Sequence, residues 1–165
     1  MDEGAPASRA RQTVLRLLAL RDRSEGEIRQ KLKNKGCDND LIEKILAEFR
    51  ELRYLNDEAF ATRQSRYLAH DKLYGNRRIE VQLRGKGISK ELIRKAIDSV
   101  RRDFPEEEAL DMRIRKIGHM QQTNSDAMVK MRLARSLMGK GFPPELIFEK
   151  LDTVLEEYRH DDDGK

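Results

Sequence analysis

Leu83-Arg84-Gly85-Lys86-Gly87-Ile88-Ser89-Lys90-Glu91-Leu92-Ile93 is one of three versions of a single phrase in this chain: Leu, two variable residues, Lys-Gly, four variable residues, Leu-Ile. The others run from Leu32 to Ile42 and from Leu137 to Ile147. Successive copies begin 51 and 54 residues apart, a near-constant period that marks a repeat architecture in which each unit is too small to bury its own apolar face. Each Lys-Gly pair reads as a helix end, with Gly in the left-handed position past the last turn and Lys complementing the helix dipole. A phosphate-binding Walker loop requires Gly, four residues, then Gly-Lys-Ser/Thr, and no such run occurs.

Outward from the phrase, apolar residues recur at helical spacing. Val14, Leu17 and Leu18 form one stripe, Phe60, Tyr67 and Leu68 a second, and Leu110, Ile114 and Ile117 a third, each ahead of one copy. Within the phrase, Leu32, Leu83 and Leu137 have apolar partners four residues earlier at Ile28, Ile79 and Leu133. No sustained alternation appears, so no strand is expected. Ser24 with Glu27 fits a capping box, Asn56 or Asp57 and Ser89 can cap the helices that follow them, and Pro105 and Pro144 suit first-turn positions. The expected fold is all-α, with nine helices at 9–22, 25–35, 38–53, 57–73, 76–86, 89–102, 105–119, 125–139 and 144–158. These make three tandem three-helix repeats (9–55, 56–103 and 104–159). A flexible tail (1–8) precedes them and an acidic tail (160–165) follows. A loop near Gln121–Asn124 accounts for the longer second spacing.

The chain has 165 residues, 39% charged and 5% aromatic, with no Trp, a composition of long exposed helices over thin cores rather than of an enzyme enclosing a pocket. Its net charge of +4 is unevenly laid out. Residues 9–55 hold 12 basic and 8 acidic side chains, residues 56–103 hold 12 and 7, and residues 104–159 hold 9 and 10, while Asp2, Glu3 and Asp161–Asp163 make both ends acidic. A basic first two-thirds favours a polyanionic partner such as nucleic acid, or an acidic protein groove. A single cysteine, Cys37, no 18-residue apolar run and an acidic N-terminus point to a soluble cytoplasmic protein with no membrane span or signal peptide.

Catalytic constellations are absent. His70, His119 and His160 stand apart, without metal-ligand spacing or a cysteine partner, so neither an enzyme nor a metal or other cofactor is expected. Helix, short Gly turn, helix is also the outline of a DNA-reading helix-turn-helix. The helix after the middle phrase suits a groove with Lys90, Arg94, Lys95, Arg101 and Arg102, but the last carries Glu145, Glu149, Asp152, Glu156 and Glu157. Base reading by all three units is therefore not expected. Met112, Met120, Met128, Met131 and Met138 all fall in the third repeat and read as fillers of an irregular core, the alternative being an adaptable protein-binding surface. Arg77 and Arg78 begin a helix, where the dipole disfavours cations, and Arg63, Arg66 and Tyr67 lie one helix earlier. Together with Lys86, Arg94 and Lys95 they are the candidate partner- or DNA-binding residues.

Arg21, Ser24-Glu25, Leu32 and Lys35-Gly36 resemble the opening of the RecX family of bacterial regulatory proteins. Tyr54-Leu55-Asn56-Asp57-Glu58-Ala59-Phe60-Ala61 resembles that family's most distinctive segment, followed by Gly75, Arg78, Ile79, Leu83, Lys86-Gly87-Ile88 and the third Leu137-x-x-Lys140-Gly141-Phe142. The resemblance covers roughly residues 9–155. Arg53 stands where the family usually has Gly, and Asn56 where it commonly has a second Asp. The Asn56–Ala61 segment itself reads as a helix cap plus a core phenylalanine. The resemblance implies three tandem three-helix repeats in an elongated, curved array that bind the RecA filament on single-stranded DNA and lower its ATP hydrolysis, strand exchange and stimulated repressor cleavage. A self-contained array of this kind needs no second copy, so a monomer is expected. The alternative is a helical nucleic-acid-binding module acting on DNA directly.

Overall fold

The computed structural model describes the backbone of residues 4–118 and 127–162 and the side chains of residues 4–117 and 127–153. The expected loop at Gln121–Asn124, with His119, Met120, Asp2, Glu3 and Asp163, lies outside the described residues, as do the side chains of Glu156, Glu157, His160, Asp161 and Asp162. Among the described residues the chain forms nine helices and no strand. They are α1 (Gly4–Leu20), α2 (Glu25–Asn34), α3 (Asn39–Glu51), α4 (Asp57–His70), α5 (Asn76–Arg84), α6 (Lys90–Asp103), α7 (Glu106–Gly118), α8 (Ala127–Gly139) and α9 (Pro144–Asp162). The largest departures from expectation are at three ends: α1 starts at Gly4 instead of residue 9, α4 ends at His70 instead of 73, and α9 continues to Asp162 instead of ending at 158.

The caps follow the sequence closely. Ser24 and Glu27 form the reciprocal capping box of α2, Asp38 accepts from Leu41 N at the start of α3, and Asn56 Oδ1 accepts from Ala59 N at 2.9 Å to open α4. All three Lys-Gly turns close in the same way. Gly36, Gly87 and Gly141 have φ of +81°, +78° and +93°. The amide two residues past each lysine returns to the leucine carbonyl, as Cys37 to Leu32, Ile88 to Leu83 and Phe142 to Leu137, the Schellman pattern.

The chain divides into two compact units, Met1–Gln64 with Leu83–Ala96, and Ser65–Gln82 with Ile97–Lys165. In the first, α1 packs on α2 and α3, and α2 on α3, around Ala10, Val14, Ile28, Leu32, Ile45 and Phe49. In the second, α9 packs against α7 and α8, and Leu110, Ala134, Leu137, Phe142 and Ile147 are buried. The methionines are the main correction. Met112, Met128, Met131 and Met138 are 40%, 71%, 51% and 37% exposed, so they do not fill the core. Ala134 and Leu137 supply the buried face of α8, leaving the methionines on the other side. Tyr67, placed on the inward stripe of α4, is also exposed, while Phe60 is buried as expected.

Candidate functional site

Each unit contains one joint between consecutive repeats, and both joints are built alike. In the first unit the buried Ser24 donates from Oγ to Lys86 O at 2.5 Å, and Glu25 N–H donates to Asp57 Oδ1 at 2.8 Å. Asp57, the first residue of the following repeat's leading helix, thus caps α2, while its neighbour Asn56 caps α4. In the second unit Gly75 N–H donates to Lys140 O at 2.9 Å, and Asn76 N–H donates to Glu106 Oε1 at 2.6 Å. In both joints a Lys-Gly turn and an acid from one repeat close the N-terminus of the second helix of the repeat before it. The glycines make this approach feasible: a Cβ on Gly26 would lie 2.5 Å from Lys86 O, and one on Gly75 would lie 2.3 Å from Gly141 C. A carboxylate at the start of α5 also explains how Arg77 and Arg78 are tolerated there, since Glu106 answers the dipole they oppose.

The first joint is saturated with ion pairs. Glu27 receives Arg21 at 2.6 Å and Lys86 at 3.3 Å, with Arg23 at 3.8 Å. Burial pushes the Glu27 carboxyl up, but the Arg21 hydrogen bond, the Ser24 amide and the charges of Lys86 and Arg21 outweigh it and hold the group at about 2. Glu25 takes Arg50 through two hydrogen bonds of 2.8 and 2.7 Å. Asp57 moves the other way, its pKa raised by burial against the stabilising Glu25 amide. Nearby, Arg63 pairs with Asp22 at 2.8 Å and Lys95 with Glu91 at 3.5 Å.

The second joint holds a different charge arrangement. Arg101, half-buried, donates from Nε to Asn76 Oδ1 (2.7 Å) and from Nη2 to Tyr74 O (2.7 Å), with Nη1 on Phe104 O (3.2 Å). Burial lowers its pKa, with Glu106 acting in the opposite sense. Arg113 donates to Lys72 O and Leu73 O, bracing the turn in which buried Leu73 takes a left-handed φ of 49°. This frame presents Tyr74 with two cations about its ring: Arg78 Cζ at 5.9 Å and Lys140 Nζ at 5.8 Å from the centroid. Lys72 Nζ lies 5.4 Å from the Tyr67 centroid in the same unit. Among the described residues no carboxylate pairs with Arg66, Arg77, Arg78 or Lys140.

The eight candidates therefore divide. Arg63, Lys86 and Lys95 are committed to acids of the first unit. Arg94 is exposed there with no ion pair among the described residues, and Arg66, Tyr67, Arg77 and Arg78 are exposed in the second unit. The structure joins Arg78 to Tyr74 and Lys140, which the sequence reading treated as background and as a cap. The placing of Tyr74 just ahead of Arg77 and Arg78, across Gly75 and Asn76, was the available signal. Arg101, grouped with the groove-facing cations, is turned inward to the frame. His70 is exposed and stacks on Phe104 at 4.3 Å. Among the described residues there is no cluster of three metal-ligating side chains, and no helix is long and apolar enough to cross a membrane. Unpaired guanidinium and ammonium groups beside a tyrosine face suit phosphate or carboxylate anions.

Comparison with known proteins agrees with this architecture. Residues 10–49, 56–97 and 105–151 match the first, second and third three-helix domains of RecX. The regulatory protein RecX of Syntrophotalea carbinolica is 32% identical over 146 residues, covering 88% of this chain and 95% of that one. The one from Chlorobaculum tepidum is 32% identical over 157 residues, covering 95% and 94%. The crystal structure of RecX from Lactobacillus salivarius shares the fold, with a TM-score of 0.75 at 23% identity over 92% of this chain and 96% of that one.

Proposed function

The chain belongs to the RecX family of regulatory proteins, and from that premise we propose that it binds RecA filaments on single-stranded DNA and restrains them. It acts by occupancy, lowering ATP hydrolysis, strand exchange and co-protease activity without chemistry of its own. The observation that carries the reading is the ordered match of all three domains over residues 10–151. The unpaired Arg77, Arg78 and Lys140 beside Tyr74 support an anionic contact, with Arg66, Tyr67 and Arg94 as further contributors. Arg63, Lys86 and Lys95 contribute less, because their ion pairs must be exchanged for new ones. Several weak contacts along one polymer add through effective concentration.

The unpaired cations also favour a second reading, direct binding to DNA without RecA. Titrating the chain into DNA-stimulated ATP hydrolysis by RecA of the same organism, at fixed single-stranded DNA, separates the two. Inhibition well below one chain per RecA is expected. Inhibition only at concentrations matching the affinity for bare DNA favours direct competition, and no inhibition at all removes the RecA assignment.

A further inference from the structure

The α8 sequence Ala127–Gly139 contains Lys130, Arg132 and Arg135 and no acid. Lys130 is engaged by Asp152 of α9. The exposed residues Met128, Met131, Arg135 and Met138 follow one another at helical spacings of three and four, with Arg132 four residues after Met128 and three before Arg135, on a face other than that of the buried Ala134 and Leu137. The strip runs from Met128 to Met138, eleven residues and about 15 Å along the helix. Its arginines have no ion pair among the described residues, and the Gly139 end opens onto space with nothing within 4 Å of a Cβ.

We propose that this thioether-and-arginine face of α8 is a second binding surface that takes an acidic amphipathic helix of a partner protein. Thioether side chains repack around irregular aliphatic surfaces, so Met128, Met131 and Met138 accept a leucine-type ridge. Arg132 and Arg135, which lie between the methionines along the strip, then pair with carboxylates flanking that ridge. Nucleic acid fits less well: it gains little from three thioethers, and the strip offers no aromatic ring on which to stack a base. A second copy of the same face would oppose arginines with arginines across an isologous contact. The inference does not depend on RecA, and the face lies apart in sequence from Arg77 and Arg78.

The test is a titration of the full chain, labelled with 13C at the methionine methyls, with a synthetic helical peptide carrying leucine on one face and glutamate on the other. A peptide of the same composition in scrambled order is the control. The Met128 and Met131 methyl signals, assigned by single Met→Leu variants, are expected to shift with the patterned peptide and not with the scrambled one. Met131→Ser, and separately Arg132→Glu with Arg135→Glu, should each weaken binding about tenfold or more with helix content unchanged by circular dichroism. The charge variants keep the test valid if the serine variant unfolds. Unmoved methyl signals, or equal binding of the scrambled peptide, overturn the proposal. So do equal shifts of these methyls with oligothymidine, which would make the face a nucleic-acid surface, or a concentration-dependent shift without peptide that Met131→Ser abolishes, which would make it a dimer contact.

Discussion

At Arg53 a side chain occupies a conformation that suits glycine. Its φ is 59°, and the amides of Tyr54 and Leu55 both return to Phe49 O, so the end of α3 is closed as a glycine would close it. The buried Leu55 and the Tyr54 ring 6.0 Å from Phe49 hold the turn in place. A left-handed non-glycine residue costs about 1–2 kcal/mol, part of which glycine returns as unfolded-state entropy. Arg53→Gly should therefore stabilise the chain by about 0.5–1 kcal/mol, read as a rise in the urea midpoint at unchanged slope. The substitution for glycine was visible in the sequence, but the survival of the turn was not, because packing of Leu55 decides it. Glu27 shows the same limit. Its capping role is local and legible, whereas its pairing with Lys86 spans 59 residues. With the folded carboxyl at about 2 against an ordinary 4.5, its ionised form stabilises the fold above pH 4.5, and that contribution is lost as pH falls toward 2. The side chain is only 17% exposed, and the full contribution is on the order of 3 kcal/mol. Denaturation at stepped pH should show a steeper loss across this window for the wild type than for Glu27→Gln.

Among the elements, the three Lys-Gly turns share sequence, φ and hydrogen bonding, yet only two of them pack against a preceding repeat. Gly36 has nothing within 4 Å of a Cβ, whereas a Cβ on Gly141 would lie 2.3 Å from Arg78 N, and one on Gly87 would lie 2.9 Å from Gly26 Cα. Gly36→Ala should thus cost only the backbone strain, about 1 kcal/mol, while Gly141→Ala should cost a further 1–3 kcal/mol of overpacking. Equal melting losses for the two would refute the joint as a stability determinant. Periodicity and punctuation revealed the helices and the caps at Ser24, Asn56 and Ser89 because those signals are local, while the Asp38 cap of α3 was missed. Neither the seat of Gly26 and Gly75 nor the acid that each joint takes from Asp57 and Glu106 has a local signature. The methionines of α8 were assigned inward for a related reason. Val129, Leu133, Ala134 and Leu137 alone suffice for a buried face, and composition cannot say which of two apolar stripes the fold selects.

Across the whole molecule, the +4 charge was legible, but its disposition in pairs was not. The first unit's Arg29–Glu43 and Arg63–Asp22 contacts cross 14 and 41 residues. Pairing divides the cations of each unit: in the first Arg11, Arg29, Arg50 and Arg63 each have a carboxylate while Arg94 has none among the described residues, and in the second Lys130 and Lys150 are paired while Arg66, Arg77, Arg78 and Lys140 have none among them. Exposed pairs contribute little to stability, typically below about 1 kcal/mol, but they do neutralise the cation that a phosphate would otherwise meet. Removing the same number of charges from each unit separates contact from the general field of a basic protein. Arg11→Gln with Arg29→Gln lowers net charge by as much as Arg77→Gln with Arg78→Gln. If the latter pair meets phosphates of single-stranded DNA, its loss should flatten the dependence of log affinity on log salt by about 1.4, since each contact contributes about 0.7. The former pair should leave that slope nearly unchanged. Equal flattening by both would mean that attraction follows total charge alone, and would remove the special standing given to the second unit's cations.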